Sequence, residues 1–154
     1  MKVVRMIIWV ALLGLCTSCT QHNGHIGKLF GTWQLMTVQQ GEKETSVETM
    51  YYKFQGTVLN IRWLTDEKLH ETKNVYGMFS HEGDRLICYH VVPEWGTWDD
   101  ADNCPYLNML FVKLENADDP SGANIHFKIE RLTSSALILS PENQPDKKLV
   151  FRKF

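Results

Sequence analysis

The chain has 154 residues, of which 44% are hydrophobic and 22% are charged, and its formal net charge is −2. This length and composition are typical of one globular domain with a sizeable hydrophobic core. The slightly negative charge excludes a global basic field of the kind that attracts nucleic acid, so we expect no nucleic-acid partner.

The first residues are typical of an export signal. A basic start precedes an uninterrupted apolar run over residues 6–15, which is too short to span a bilayer as a stable helix and fits the hydrophobic part of a secretory signal. Small residues then lead directly into Cys19. This pattern resembles a bacterial lipoprotein signal, in which cleavage precedes a cysteine that is acylated, although Cys16 stands where such signals usually have leucine. The alternative is an ordinary secretory signal with incidental cysteines.

We therefore predict three segments: a signal peptide over residues 1–18, a polar tether over residues 19–28 that begins with acylated Cys19, and a folded domain over residues 29–154. Lipid chains on Cys19 tether a protein to a membrane without threading it through. Thr20 follows where an aspartate would retain a lipoprotein in the inner membrane. The expected location is the cell envelope, anchored by lipid in the outer membrane and facing the periplasm.

From residue 29 onward the chain alternates apolar and polar residues as β-strands do. "HEGD" at residues 81–84 predicts a hairpin turn, and a break in alternation near Met36 indicates a bulge in the first strand. Residues 42–50 are compatible with one or two turns of helix. The predicted strands lie, in chain order, in "TWQLMTVQQ", "MYYKFQG", "TVLNIRWLT", "KNVYGMFS", "RLICYHVV", "LNMLFVKL", "IHFKIERL", "ALILS" and "LVFRKF".

This succession of short strands predicts an all-β, antiparallel fold, because no strand–helix–strand alternation is present to build a parallel sheet. A meander of eight or nine strands either stacks as a sandwich or closes into a barrel. The difference matters for function, since a closed barrel of about eight strands can hold one small ligand.

The tripeptide Gly-Thr-Trp at residues 31–33 opens the first strand, and Arg152 lies in the last. This pattern resembles the lipocalin and wider calycin family, in which an arginine near the end of the barrel packs across the indole of a Gly-X-Trp. The ending "IERLTSSALILS…LVFRKF" is similar to lipocalin-like domains of lipoproteins from Bacteroidetes-type bacteria. The resemblance implies an up-and-down barrel of about eight strands in which Gly31, Trp33 and Arg152 are structural. The second and third conserved regions of the secreted lipocalins are absent, so no binding residue carries over.

Aromatic and methionine side chains on the predicted strands are candidates for lining a cavity inside this barrel. The alternative is a packed core without a cavity. The segment 93–105 is bounded by two prolines and includes a second Gly-Thr-Trp, and we expect it to act as a lid or a contact surface. The candidates for ligand or partner binding are Trp63, Tyr76, Met78, Tyr89, Trp95, Trp98, Met109 and Phe111.

The histidines and cysteines show no zinc-binding spacing, so we predict no metal site. His90 shares a predicted strand face with Cys88 and is expected to be a core histidine. In an exported protein, Cys88 and Cys104 either form a disulfide or leave Cys88 as a buried free thiol.

The expected function is that of a lipid-anchored, lipocalin-like protein that binds a small hydrophobic molecule and needs no cofactor. No catalytic motif such as Gly-X-Ser-X-Gly, HExxH or a phosphate-binding loop is present, so we expect no enzyme activity. The alternative is a packed barrel that docks another envelope protein through the 93–105 loop, as a hydrolase inhibitor or as a subunit of a complex. The sequence does not indicate an oligomeric state.

Overall fold

The protein is a closed barrel of eight antiparallel strands. The structure, a computed structural model, describes residues 27–66, 71–94, 111–115 and 122–154. Each strand pairs with the next, and the last pairs with the first, which closes the sheet. The predicted all-β fold is therefore confirmed, and it is a barrel. The strands are β1 (Gly31–Gln40), β2 (Lys43–Gln55), β3 (Val58–Asp66), β4 (Glu71–Glu82), β5 (Arg85–Pro93), β6 (Ala123–Leu132), β7 (Ala136–Pro141) and β8 (Lys147–Lys153).

Two predicted elements are wrong. The segment 42–50 is not helical, because from Lys43 onward it pairs with β1 as the first half of β2. The "LNMLFVKL" segment does not form the predicted strand over residues 111–114. Phe111 there has a φ of +58°, which breaks an extended run, and the only pairing is an isolated bridge from Glu115 to Asn124. Residues 107–110 lie outside the described part of the chain.

The predicted bulge in the first strand is confirmed by a register shift between Leu35 and Thr37 against both neighbouring strands. The extra residue returns Val38 to the interior, where it is 6% exposed. The "IHFKIERL" alternation is also confirmed, since Ile125 and Phe127 point into the core. Alternation of this kind fixes the register, because a slip of one residue would turn the whole apolar set outward.

The two ends of the barrel differ in how the chain crosses them. The end at which short turns join β2 to β3, β4 to β5 and β6 to β7 is called the floor here. The opposite end, called the mouth, is the end at which β1 is followed by β2, β3 by β4, β5 by β6 and β7 by β8, and the longest of these connections joins β5 to β6. Because the long connection belongs to the mouth, any access to the interior from solvent is expected there.

No helix within the described ranges is long and apolar enough to cross a membrane.

Candidate functional site

The floor of the barrel is plugged by Trp33, which is fully buried. Its indole Nε1 donates a hydrogen bond of 2.7 Å to the carbonyl oxygen of Leu29, so the chain just before β1 is fixed beneath the ring. The Lys153 ammonium lies 4.3 Å from the ring centroid and donates to the carbonyl oxygen of Phe30. Burial of the lysine lowers its pKa. A cation over an indole face adds attraction while covering the ring from water.

The predicted packing of Arg152 across Trp33 is wrong, and Lys153 takes that place. In the β1–β8 register Trp33 lies opposite Lys153, whereas Arg152 lies opposite Gln34 on the outer side of the sheet. The Arg152 Nη2 donates to the Gln34 Oε1 at 2.8 Å, so the arginine ties β8 to β1 from outside. Gly31 has a φ of +113°, and a Cβ there would meet the Lys153 Nζ at 3.0 Å, so the glycine leaves room for the lysine.

Two titratable groups, Tyr52 and Cys88, lie inside the barrel and are fully buried, and Tyr52 lies opposite Trp33 in the β1–β2 register. The Tyr52 ring packs edge-on against Phe151 at 4.9 Å between centroids, but its hydroxyl has no hydrogen-bond partner in the described part of the chain. Burial raises the pKa of the Tyr52 hydroxyl, and the nearby Cys88 raises it further. Burial also raises the pKa of the Cys88 thiol. Both groups are therefore neutral at physiological pH.

Cys88 is a free thiol, which agrees with the second of the two alternatives predicted for it. Its predicted disulfide partner, Cys104, lies outside the described residues. A buried neutral thiol behaves as a small hydrophobe and does not attack electrophiles, because the thiolate is the reactive form. Cys88 therefore contributes to packing.

The free energy of unfolding is expected to fall as pH rises above about 8.5, the ordinary pKa of a thiol. The unfolded Cys88 ionises there, while the folded thiol keeps its proton because burial raises its pKa. The stabilising contribution is thus complete below the unfolded pKa and is lost at higher pH, at up to about 1.4 kcal/mol per pH unit. Urea denaturation between pH 7 and 10 is expected to show this slope in the wild type and a shallower slope in Cys88→Ala. Equal slopes in the two proteins would contradict the assignment.

The mouth half of the interior is lined by apolar side chains from several strands. Trp63 is 3% exposed, so it points inward as predicted, and Met50 lies opposite it in the β2–β3 register. Met50 was not predicted to line the interior. Its position two residues before Tyr52 in an alternating strand does indicate an inward side chain. Inward residues toward the mouth include Val38, Met50, Trp63, Val75, Val91, Ala123 and Leu149, which lies opposite Val38.

Residues 111–115 form a cover segment at the mouth. Val112 inserts into the core at 6% exposure. The Lys147 Nζ donates to the carbonyl oxygen of Phe111 at 2.9 Å, and the backbone N–H of Lys113 donates to the Gln144 side chain at 2.9 Å. These bonds fix the cover segment to the loop between β7 and β8. Burial lowers the pKa of Lys147.

Backbone strain is concentrated toward the mouth. Among the described residues, the non-glycine residues with positive φ are Glu48 (53°), His90 (52°) and Phe111 (58°), and all three lie in the mouth half. A left-handed backbone costs an ordinary residue about 1–2 kcal/mol. Such residues persist only where their surroundings hold them, and they cluster at binding and active sites.

Tyr76 and Met78 were predicted to line the cavity, and this prediction is wrong. They are 43% and 39% exposed on the outer face of the barrel. The inward positions of β4 are occupied by Val75, Gly77 and Phe79 instead. The strand is apolar on both faces, so periodicity alone does not identify the inner one.

The prediction that His90 is a core histidine is also wrong, because its side chain is exposed. A register shift between Cys88 and Val91 marks a second bulge, which turns His90 outward and returns Val91 to the interior. Tyr89 is half-buried and stacks edge-on with His90 at 5.4 Å. The other predicted binding residues, Trp95, Trp98 and Met109, lie outside the described residues.

Phe111 is half-buried and packs against the core, as a candidate lining residue should. In the part of the chain that the structure describes, no three His, Cys, Asp or Glu side chains come together to hold a metal ion. Apart from Tyr52 and Cys88, whose pKa values are raised by burial, the buried polar side chains of the described residues are Gln34 and Ser140.

Comparisons with known proteins agree with this architecture. A family model described as a lipocalin-like domain matches residues 13–154. The crystal structure of a lipocalin-like protein from Bacteroides uniformis ATCC 8492 is similar at a TM-score of 0.59 and 26% identity, covering 83% of this chain and all of that one. An uncharacterized protein from Bacteroides eggerthii DSM 20697 shares the fold at a TM-score of 0.59 and 21% identity, covering 81% of this chain and 98% of that one. No curated protein matches the chain.

Proposed function

Because this chain belongs to the lipocalin-like domain family, we propose that it binds a small apolar molecule in the mouth half of its barrel, without catalysis. The observation that carries the proposal is the grouping of backbone strain at the mouth, at Glu48, His90 and Phe111. Strain of this kind is retained where a binding surface needs it. The adjacent inner surface is apolar, which suits an apolar ligand.

The ligand carries one hydrogen-bond acceptor. The Tyr52 hydroxyl is buried one inward position below Met50 and has no hydrogen-bond partner among the residues that the structure describes. An unpaired buried hydroxyl costs about 1–3 kcal/mol. A ligand that enters from the mouth with a carbonyl, ether or carboxyl oxygen leading would accept this hydrogen bond and remove that cost.

The described interior supports binding rather than reaction. The Cys88 thiol is kept neutral by burial, and this removes the strongest nucleophile in the core. No carboxylate is among the buried side chains of the described residues, and burial raises the pKa of the Tyr52 hydroxyl, so the described core presents neutral groups to a ligand.

We further propose that Cys19 is acylated and anchors the protein in the outer membrane, with the barrel in the periplasm. The described chain begins at the floor, where residues 27–30 lead into β1. A tether that joins the barrel at the floor leaves the mouth directed away from the membrane surface. Ligand exchange would then take place with the periplasm.

Ligand binding is tested with N-phenyl-1-naphthylamine, a neutral apolar fluorophore, added to the full chain. We expect saturable binding of one molecule per barrel, with energy transfer from tryptophan. Ala123 faces inward at the mouth and is fully buried, so Ala123→Phe is expected to weaken binding at least tenfold by filling the space. Asn124→Phe places the same ring on the adjacent, outward position and is the matched control, with affinity expected within twofold of wild type.

Two outcomes would contradict ligand binding in the barrel. One is the absence of saturable binding to the folded wild-type protein. The other is equal affinity of the two phenylalanine variants, since the probe would then occupy a surface outside the barrel. Circular dichroism melts of both variants verify that each still folds. The alternative function, docking of an envelope protein through the 93–105 loop, stays a prediction, because only residues 93 and 94 of that loop are described.

A further inference from the structure

The outer face of β3 and β4 carries an exposed apolar patch. Val58, Tyr76 and Met78 are 49%, 43% and 39% exposed. Val58 lies directly opposite Met78 in the register, and Tyr76 lies two residues from Met78 on the same face. These three residues are called the outer patch. Contiguous apolar surface on a soluble face marks an interaction site more often than scattered single residues do.

Acidic residues are sparse on the described strands around the outer patch; one of them, Glu94, accepts a hydrogen bond of 2.8 Å from the Asn74 Nδ2, and Asn74 lies opposite Arg62. The strand segments at residues 49–64, 72–81 and 85–93 include no Asp or Glu, although the whole chain has 18 acids against 16 bases. Lys53 and Arg62 are exposed on this same outer side of β2 and β3. An acidic protein thus presents one face that is apolar and positively charged. Such a face attracts and orients a negatively charged partner.

The surface beside Val58 and Tyr76 is indented. A shallow groove of about 460 Å³ runs beside the outer patch, lined by Lys53, Gln55, Val58, Asn60 and Tyr76. The groove therefore combines a cation, two amides and an aromatic face. Tyrosine, methionine and arginine are enriched at protein interfaces, and tyrosine and arginine are frequent hot spots.

We propose that the outer patch is the docking site for a different protein whose contact surface combines apolar side chains with carboxylates. The partner's apolar side chains cover the outer patch, and its carboxylates pair with Lys53 and Arg62. A second copy docked by the same surface about a twofold axis would bring the Lys53 and Arg62 side chains of the two copies together, and this like-charge contact disfavours self-association. This interaction goes beyond ligand binding in the barrel and uses the opposite side of the sheet.

The partner is identified by replacing Met78 with the photo-crosslinking amino acid p-benzoylphenylalanine in the full chain, in cells of its native host. The matched control carries the same amino acid at Lys128, which is exposed on β6, away from the patch. We expect one protein to be cross-linked from position 78 and not from position 128. No adduct, an adduct of two copies of this chain, or a lipid adduct would each overturn the proposal.

The cross-linked protein is then purified and its affinity for variants is measured. The double variant Lys53→Glu, Arg62→Glu and the single variant Tyr76→Ala are each expected to weaken binding at least tenfold. Their melting temperatures should match wild type, since all three side chains are exposed or half-exposed on the surface. Affinity that charge reversal leaves unchanged would show that the partner does not dock by this chemistry. Unchanged binding of N-phenyl-1-naphthylamine to the same variants separates this docking site from the barrel interior.

Discussion

Replacing Trp33 with alanine is expected to lower the free energy of unfolding by about 3–5 kcal/mol, as large-to-small changes of buried aromatic residues do. The ring is fully buried at the floor, and its Nε1 holds the carbonyl oxygen of Leu29 at 2.7 Å. The change leaves a cavity, an unpaired carbonyl and an uncovered Lys153. Urea denaturation followed by circular dichroism measures the loss.

The matched control is Tyr76→Ala, which removes an aromatic ring that is 43% exposed. Its effect on unfolding is expected to stay within about 0.5 kcal/mol. Lys153→Met separates the cation over Trp33 from the ring itself and is expected to cost about 0.5–1 kcal/mol. A loss below about 1 kcal/mol for Trp33→Ala would show that Trp33 does not fill the floor of the barrel, because removing a buried aromatic ring that leaves a cavity costs more than this.

Gly122→Ala is expected to be the second most damaging substitution, with a loss of about 2–4 kcal/mol from backbone strain and overpacking together. Gly122 has a φ of +104°, and a Cβ there would lie 2.7 Å from the backbone carbon of His90. The chain enters β6 at this point by passing directly over the bulge of β5. Chemical denaturation of the purified protein gives the magnitude.

Gly83→Ala is the control that isolates the overlap. Gly83 has a φ of +62°, but a Cβ there meets no atom within 4 Å. Gly83→Ala is therefore expected to lower the free energy of unfolding only by the left-handed backbone cost of about 1–2 kcal/mol. Equal losses at the two glycines would show that the contact between Gly122 and His90 does not hold the mouth bulge in place.

Much of the barrel could be predicted from local pattern. Strand alternation located the buried residues of β6, and the break near Met36 located the bulge in β1. Closure into a barrel was not contained in that pattern. It followed from the resemblance of Gly31, Trp33 and the chain's end to a known family. Local pattern describes each strand separately, whereas closure depends on the pairing of the first strand with the last.

Several of the errors have a physical cause in common, which is that the register between strands does not follow from the residues of one strand alone. Two adjacent cations end the chain, and only the β1–β8 register shows that Lys153, not Arg152, faces Trp33. The bulge after Cys88 turns His90 outward in the same way. Tyr76 and Met78 were assigned to the wrong face because their strand is apolar on both sides. That second apolar face became the outer patch.

Ligand binding in the barrel is tested by a crystal structure of the protein purified from its native host without added ligand. We expect density for a small apolar molecule between Trp63, Met50 and the cover segment, with an acceptor oxygen within hydrogen-bond distance of the Tyr52 hydroxyl. Denaturation of the same sample and mass spectrometry would release one such molecule per chain. An interior filled by the protein's own side chains from floor to mouth, together with no released molecule, would contradict it.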